Sequence, residues 1–285
     1  MESGTFHCPE FLHYAVKEGD EMDFPVDHDL HCHTYLSKCS GDPEQTAENI
    51  LKHARENGYT LQCITDHLWD RKVPGPNDFY ESQDIDHVRQ ILPLPGDDQV
   101  RMVFGCETEF CGGNRLALDP GNYDQFDFIV IPPNHFHMTR PREYDTEEKT
   151  AGLFAERLEE ISNLPLPWHK VGIAHITCSL IFKEGDPYLV YRLVDEKRFR
   201  AVMRKFAKLG AGIEINLSSF GPGWLEHKED ALRLYRMALE EGCKFYLASD
   251  AHHPDGLRTV PDRAPKVIEL LGLKKEDQFR LLSDS

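Results

Sequence analysis

Residues 25–67, PVDHDLHCHTYLSKCSGDPEQTAENILKHARENGYTLQCITDH, carry the pattern from which the fold follows. A short apolar run ends in His31 and His33. Residues 41–58 then have helix-end signals, with Asp42 as N-cap, Pro43 at the first position, Gln45 three after the cap and Gly58 past the end. A second strand, TLQCITDH, occupies 60–67. Strand, helix and strand in this order describe two parallel strands joined by a right-handed crossover. The stretch also crowds His28, His31 and His33 into six residues and adds Cys32 and Cys39. Local packing gives no reason for so many metal-binding side chains.

The alternation continues along the chain. Further strand candidates are RMVFGCETEF (101–110), FDFIVIPPNHF (126–136), KVGIAHIT (170–177), AGIEINLSS (211–219) and KFYLASDAHH (244–253). Helical periodicity falls around 82–92, 146–162, 195–208, 227–242 and 261–271, and only residues 111–125 join two strands without it. Seven strands alternating with helices over ~230 residues suit a closed parallel barrel better than an open doubly wound sheet. No G-x-G-x-x-G turn follows the first strand, which argues against a dinucleotide fold.

Composition narrows the function. Lys+Arg 32 against Asp+Glu 49 gives a net charge of −17, so the average surface repels a phosphate backbone and long nucleic acids are not expected partners. A small anionic substrate stays compatible, because clustered cations reverse the local sign. The eight cysteines form no C-x-x-C pair and no disulfide-framework spacing. Neither a signal peptide nor a run of about 20 apolar residues is present, so a soluble cytoplasmic protein without membrane contact is expected. The domain reading is an N-terminal extension over 1–24 and a barrel over 25–285. Oligomeric state is not legible.

The strand candidates end alike: His31 and His33, Asp66 and His67, Glu107 and Glu109, His135, His175, Glu214 and Asn216, Asp250 and His252. In a parallel barrel all carboxyl ends open on one mouth, where active sites are built. Residues i and i+2 of a strand share a face, so His31 and His33 can grip one ion while Cys32 faces away. Asp250 and His252 repeat that spacing. Carboxylate with imidazole suits zinc, iron or manganese rather than calcium or magnesium. A central carboxylate such as Glu107 can bridge two ions. Each motif alone has a plainer reading: Asp66 as a turn cap, Glu107 as a surface carboxylate, His175 as a core histidine, His135 or His137 as a surface group. Together the plain readings would all have to coincide at strand ends.

With DLHCHT, ITDH, GCETEF, NHF, AHIT and SDAHH in this order, the sequence resembles the polymerase and histidinol phosphatase (PHP) metallohydrolases from about Val26 to His253. The resemblance implies a distorted (β/α)7, TIM-like barrel with two or three divalent metals (Zn, Fe or Mn) at the C-terminal ends of its strands. It implies one metal on His31, His33, Glu107 and Asp250, and a second between Glu107, His135 and His175. A third would use His67, His252 and a residue of the loop after H-x-H. In many relatives that residue is histidine; here it is Cys39, which reads either as a thiolate ligand or as a free loop thiol. Asp66 is expected behind the ligands, orienting a histidine or moving a proton, and Asp250 is a candidate proton donor. Asn216 is expected to touch substrate or to hydrogen-bond a ligand. Lys38, Arg71, Arg140, Arg142 and Arg258 are candidates for the phosphate, with Arg140 and Arg258 preferred.

The expected activity is hydrolysis of a small phosphomonoester, of the histidinol-phosphatase type, by a metal-activated hydroxide. A phosphodiesterase or exonuclease acting on nucleotides is the alternative, and a non-catalytic metal-binding module is a third.

Overall fold

The computed structural model describes residues 24–96, 98–136, 146–177 and 186–281. In chain order its strands are β1 (His28–Asp29), β2 (Leu61–Ile64), β3 (His67–Leu68), β4 (Arg101–Thr108), β5 (Phe110–Gly112), β6 (Arg115–Leu116), β7 (Phe128–Ile131), β8 (Val171–Ile173), β9 (Gly212–Asn216) and β10 (Lys244–Ala248). Seven of them run side by side in the order β1-β2-β4-β7-β8-β9-β10, every pair parallel. The sheet is nearly closed into a barrel. Across the β1–β10 seam, the Leu30 amide donates to Leu247 O (3.0 Å), Asp250 to His31 O (2.8 Å) and His33 to Ala251 O (3.0 Å). His28 belongs to this seam, because its Nε2 accepts from the Leu247 amide at 3.0 Å.

The helices are α1 (Ala47–Glu56), α2 (Ile85–Val88), α3 (Glu147–Ile161), α4 (Pro187–Leu193), α5 (Glu196–Leu209), α6 (Lys228–Glu240) and α7 (Thr259–Leu271). In α1, Ala47, Ile50, Leu51 and Ala54 form the buried stripe. Its cap is Thr46, whose side chain accepts from the Asn49 amide. The expected cap, Asp42, instead closes a turn by accepting from the Glu44 amide at 2.8 Å. Gln45, expected inside the helix, reaches back to His33 O at 2.8 Å. The motif loop thus captures the first helical signals. Between β4 and β7 there is no α-helix, as expected, but a β5–β6 hairpin and a 3-10 turn over Pro120–Gln125.

The second strand is broken. Asp66 leaves the ladder between β2 and β3 and turns toward Thr34 and Ser37, after which β3 pairs with β4 at His67↔Glu107. The barrel interior is filled by Leu30, Cys63, Val103, Phe128, Val130 and Tyr246, with Phe279 and Leu281 from the C-terminal segment. Gly172 and Gly212 make room for Tyr246, since a Cβ at either position would collide with its ring or hydroxyl. Cys32 faces the helix layer, among Ala47, Ile50, Ile64 and Leu257. No helix among the described residues is long and apolar enough to cross a membrane.

Candidate metal centre

Three groups of donor atoms gather at the carboxyl ends of the strands: His31, His33 and Glu107; Glu107, His135 and His175; and His33, His67 and His252. Within each group the donor atoms lie within 4.8 Å of one another. Asp250 joins the first, its Oδ1 3.6 Å from His31 Nε2 and 3.3 Å from His33 Nε2. Glu107 stands between groups. Its Oε2 lies 3.6 Å from His31 Nε2, 3.5 Å from His33 Nε2 and 2.8 Å from His67 Nδ1. Its Oε1 lies 3.1 Å from His175 Nε2 and 3.9 Å from His135 Nε2.

The other ring nitrogen of five histidines is committed. His31 Nδ1 donates to Glu214 Oε2 (2.7 Å) and His135 Nδ1 to Glu109 Oε1 (2.7 Å). His175 Nδ1 meets Asn134 Oδ1 (2.9 Å), and His252 Nδ1 meets the Asp250 carbonyl (2.9 Å). His33 Nδ1 donates to Ser37 Oγ (3.0 Å), because that hydroxyl gives its own proton to Asp66 Oδ1 (2.6 Å). Fixing Nδ1–H in this way leaves Nε2 as the lone-pair donor, the arrangement found around ligating histidines.

Two contacts test whether a divalent metal fits. His31 Nε2 and His33 Nε2 face each other at 3.0 Å. With both Nδ1 atoms protonated, neutral rings would oppose two lone pairs, and only a proton or a cation relieves the repulsion. His67 Nδ1 and Glu107 Oε2 are 2.8 Å apart and buried, yet neither makes a hydrogen bond. Imidazole and carboxylate donors in this arrangement suit a divalent transition metal.

These groups are tightly coupled: burial lowers His31 and His67, but the carboxylates around them, Glu214, Asp250 and Glu107 for His31 and Glu107 for His67, hold both well above the usual imidazole value. Burial opposes ionisation of Glu107, but His67, His31 and His135 overcome it and hold its carboxyl well below the usual range. Burial and the neighbouring His252 and His67 push His33 well below the usual imidazole value, leaving it neutral. His175 (φ +23°) and Asp250 (φ +52°) both take left-handed backbone conformations that non-glycine residues avoid. Such strain persists where the surroundings over-determine it, often at functional sites.

Cys39 is exposed at the rim as a whole, but its sulfur faces His252 and His67. Burial of the sulfur raises its pKa, and the two imidazoles more than offset this, bringing the thiol down to about 7. Asp66 is buried with both oxygens occupied, Oδ1 by the Thr34 amide (2.7 Å) and Ser37, Oδ2 by the Thr34 hydroxyl (2.7 Å). It orders the motif loop and, through Ser37, His33. Asn216 donates to Glu214 Oε1 (2.9 Å) and Asp250 Oδ2 (3.2 Å), so it hydrogen-bonds a candidate ligand.

Sequence reasoning assigned no role to Glu109, Glu214, Ser37, Asn134, Tyr80 or Tyr246. Tyr80 donates to Glu109 Oε1 at 2.5 Å and Tyr246 to Glu214 Oε2 at 3.0 Å. Glu109 and Glu214 carried a usable signal, the i+2 and i−2 spacing to Glu107 and Asn216. The tyrosines carried none. Among the basic residues, Lys38 donates to Asp78 O (2.8 Å), and Arg71 pairs with Asp84 and Asp86. Arg258 lies with Asp262 (3.8 Å) and beside His53 of α1. Arg140, Arg142 and His137 lie outside the described residues.

A parallel barrel with a histidine–carboxylate cluster at its mouth defines the class. Among solved structures, the chain is similar to a Listeria monocytogenes protein assigned as a histidinol phosphatase, with TM-score 0.60 and 15% identity over 81% of this chain and 97% of that one. It is also similar to the Lactococcus lactis histidinol phosphate phosphatase, determined with zinc, L-histidinol and phosphate, at TM-score 0.51 and 14% identity over 90% and 99% of the two chains. At such identities the likeness shows a shared fold, the one that the PHP resemblance implies. No family model and no curated protein matches the chain.

Proposed function

We propose that this protein is a metal-dependent phosphomonoesterase of the histidinol-phosphatase type, acting on a small phosphorylated substrate. The observation that carries the reading is Glu107, whose two oxygens lie 2.8–3.9 Å from separate groups of histidines, so that it could be shared between two metals. The fold shared with a histidinol phosphate phosphatase and with a protein assigned as one, and the −17 charge, which disfavours long nucleic acids, support it.

In this reading His31, His33, Glu107 and Asp250 hold one metal, and Glu107, His135 and His175 a second. His67, His252 and Cys39 hold a third, which makes the third position softer than an all-histidine one. Bound divalent metal supplies a Lewis acid for the phosphoryl oxygens and lowers the pKa of a coordinated water. Zinc, iron and manganese all suit the donors; zinc is the first to test because the Lactococcus enzyme was determined with it.

The chain's own groups do the rest. Asp250 is 16% exposed where Glu107 is 1%, so it is the carboxylate ligand that solvent and substrate can reach. Burial resists its ionisation, but His31, the His33 bond and His252 hold it well below the usual range. It is therefore ionised, a ligand and hydrogen-bond acceptor rather than the acid that protonates the departing alcohol. Glu214 and Asn216 keep His31 and Asp250 in register. Asp66 positions the loop rather than moving protons. Of the two preferred phosphate cations, Arg258 lies with Asp262 and His53, and Arg140 lies outside the described residues.

The test is phosphate release from a monoester and a diester by zinc-, iron- and manganese-loaded protein. Monoester turnover is expected to vanish on chelation and to fall at least ~10³-fold when His31→Ala and Asp250→Ala are combined. Preference for the diester would favour the phosphodiesterase alternative. Unchanged turnover in the double variant would refute the site.

A further inference from the structure

A cavity of about 250 Å³ lies between α4, the loop after β9 and α6. Its walls include Thr177, Tyr188, Tyr191, Ser218, Ser219 and Phe220. Thr177 is two residues beyond His175, and Ser218 and Ser219 follow Asn216. The Ser218 hydroxyl (2.5 Å) and the Ser219 amide (3.1 Å) donate to Asn216 Oδ1, and the Asn216 amide donates to Asp250 Oδ2 (3.2 Å). One side chain therefore ties the cavity wall to a proposed metal ligand.

The lining is polar in composition but already committed. The Tyr191 hydroxyl donates to Thr177 O (2.5 Å), and the Thr177 hydroxyl bonds that of Tyr235 (2.9 Å). Both serine hydroxyls are engaged with Asn216. Three rings, Tyr188, Tyr191 and Phe220, border the space, and two of them are braced: Phe220 lies edge-on to Trp224 at 4.8 Å, and Tyr188 stacks on His227 at 4.5 Å. No charged side chain lines the cavity among the described residues. The carboxylates nearest Tyr188, Asp186 and Asp230, are both paired with Arg192, at 2.9 and 2.5 Å.

We infer that this cavity receives the organic part of the phosphomonoester, and that this part is an uncharged single-ring aromatic alcohol on a short linker. The inference rests on the phosphomonoesterase reading and specifies its substrate class. An apolar cavity of about 150 Å³ accommodates benzene, so this one has room for a ring and one or two methylenes. An ammonium group would find no unpaired carboxylate among the described lining residues and would lose its hydration uncompensated. The reaction balances as hydrolysis: the water oxygen bonds phosphorus, the ester P–O bond breaks, and the water proton ends on the released alcohol.

The test compares kcat/KM of metal-loaded enzyme for ethyl phosphate, 2-phenylethyl phosphate and 2-amino-3-phenylpropyl phosphate, whose leaving groups are all alkoxides. The ring is expected to raise kcat/KM at least ~10-fold over ethyl phosphate, and the ammonium to cancel most of that gain. Ala231→Leu, which fills the cavity from α6, should bring the phenylethyl-to-ethyl ratio toward one, as should Tyr188→Ala by removing a wall. Reading ratios within each protein cancels any loss of folded material. A wild-type ratio near one overturns the cavity's role, and preference for the ammonium ester overturns the substrate class. If ethyl phosphate is not hydrolysed either, the phosphomonoesterase reading itself has failed.

Discussion

At Glu214 four donors converge on one buried carboxylate. Oε2 accepts from His31 Nδ1 (2.7 Å) and the Tyr246 hydroxyl (3.0 Å), Oε1 from the His175 amide (3.1 Å) and Asn216 Nδ2 (2.9 Å). Glu214→Gln puts an NH2 against two donors whichever way the amide turns. It also removes the negative charge that steadies His31. The expected outcome is a roughly 10–100-fold loss of metal affinity in a chelator competition, with the far-ultraviolet circular dichroism unchanged. Wild-type affinity would mean that His31 needs no such support. In sequence Glu214 was visible only as a strand-end carboxylate. Its partner His31 lies 183 residues away, and no local periodicity carries a contact of that separation.

At the scale of elements, the strands owe their tight packing to absent side chains. A Cβ on Gly172 of β8 would lie 2.6 Å from the Phe128 ring and collide with the Tyr246 hydroxyl. Gly172→Ala is therefore expected to lower stability by about 1–3 kcal/mol, measured as a shift in urea midpoint. Tyr246→Phe, which removes a bond to buried Glu214, should cost less in the Gly172→Ala background than in the parent protein. An equal cost in both backgrounds would mean that crowding at the Tyr246 hydroxyl is not the cause. The strands and the longer helices were legible because alternation and helical periodicity are local. The α1 start was misplaced by one turn because Asp42 and Gln45 serve the metal loop instead of the helix. Helix α4 was missed although Asp186 and Pro187 form a cap; its short apolar run YLVYRLV has no clear polar face.

At the scale of the molecule, the barrel carries its histidine–carboxylate cluster at one end and is filled with side chains below it. Phe279 donates its amide to Phe245 O at 2.7 Å and packs its ring against Tyr246 and Phe128. Phe279→Ala should cost up to about 3–5 kcal/mol, read from the same denaturation midpoint, because the space it leaves is enclosed by rings. An unchanged midpoint would show that the C-terminal segment is a dispensable cover. The sequence by itself determined the parallel barrel and the convergence of His31, His33, His67, Glu107, His135, His175, Asp250 and His252. Strand periodicity and the common polarity of parallel strands dictate both without knowledge of any distance. Only the tertiary structure decided which carboxylates support which histidines, that Asp66 staples a loop, that Glu107 faces two ways, and that an aromatic cavity adjoins Asn216. Those facts depend on side chains meeting across strands, and such distances exist only once the barrel has closed.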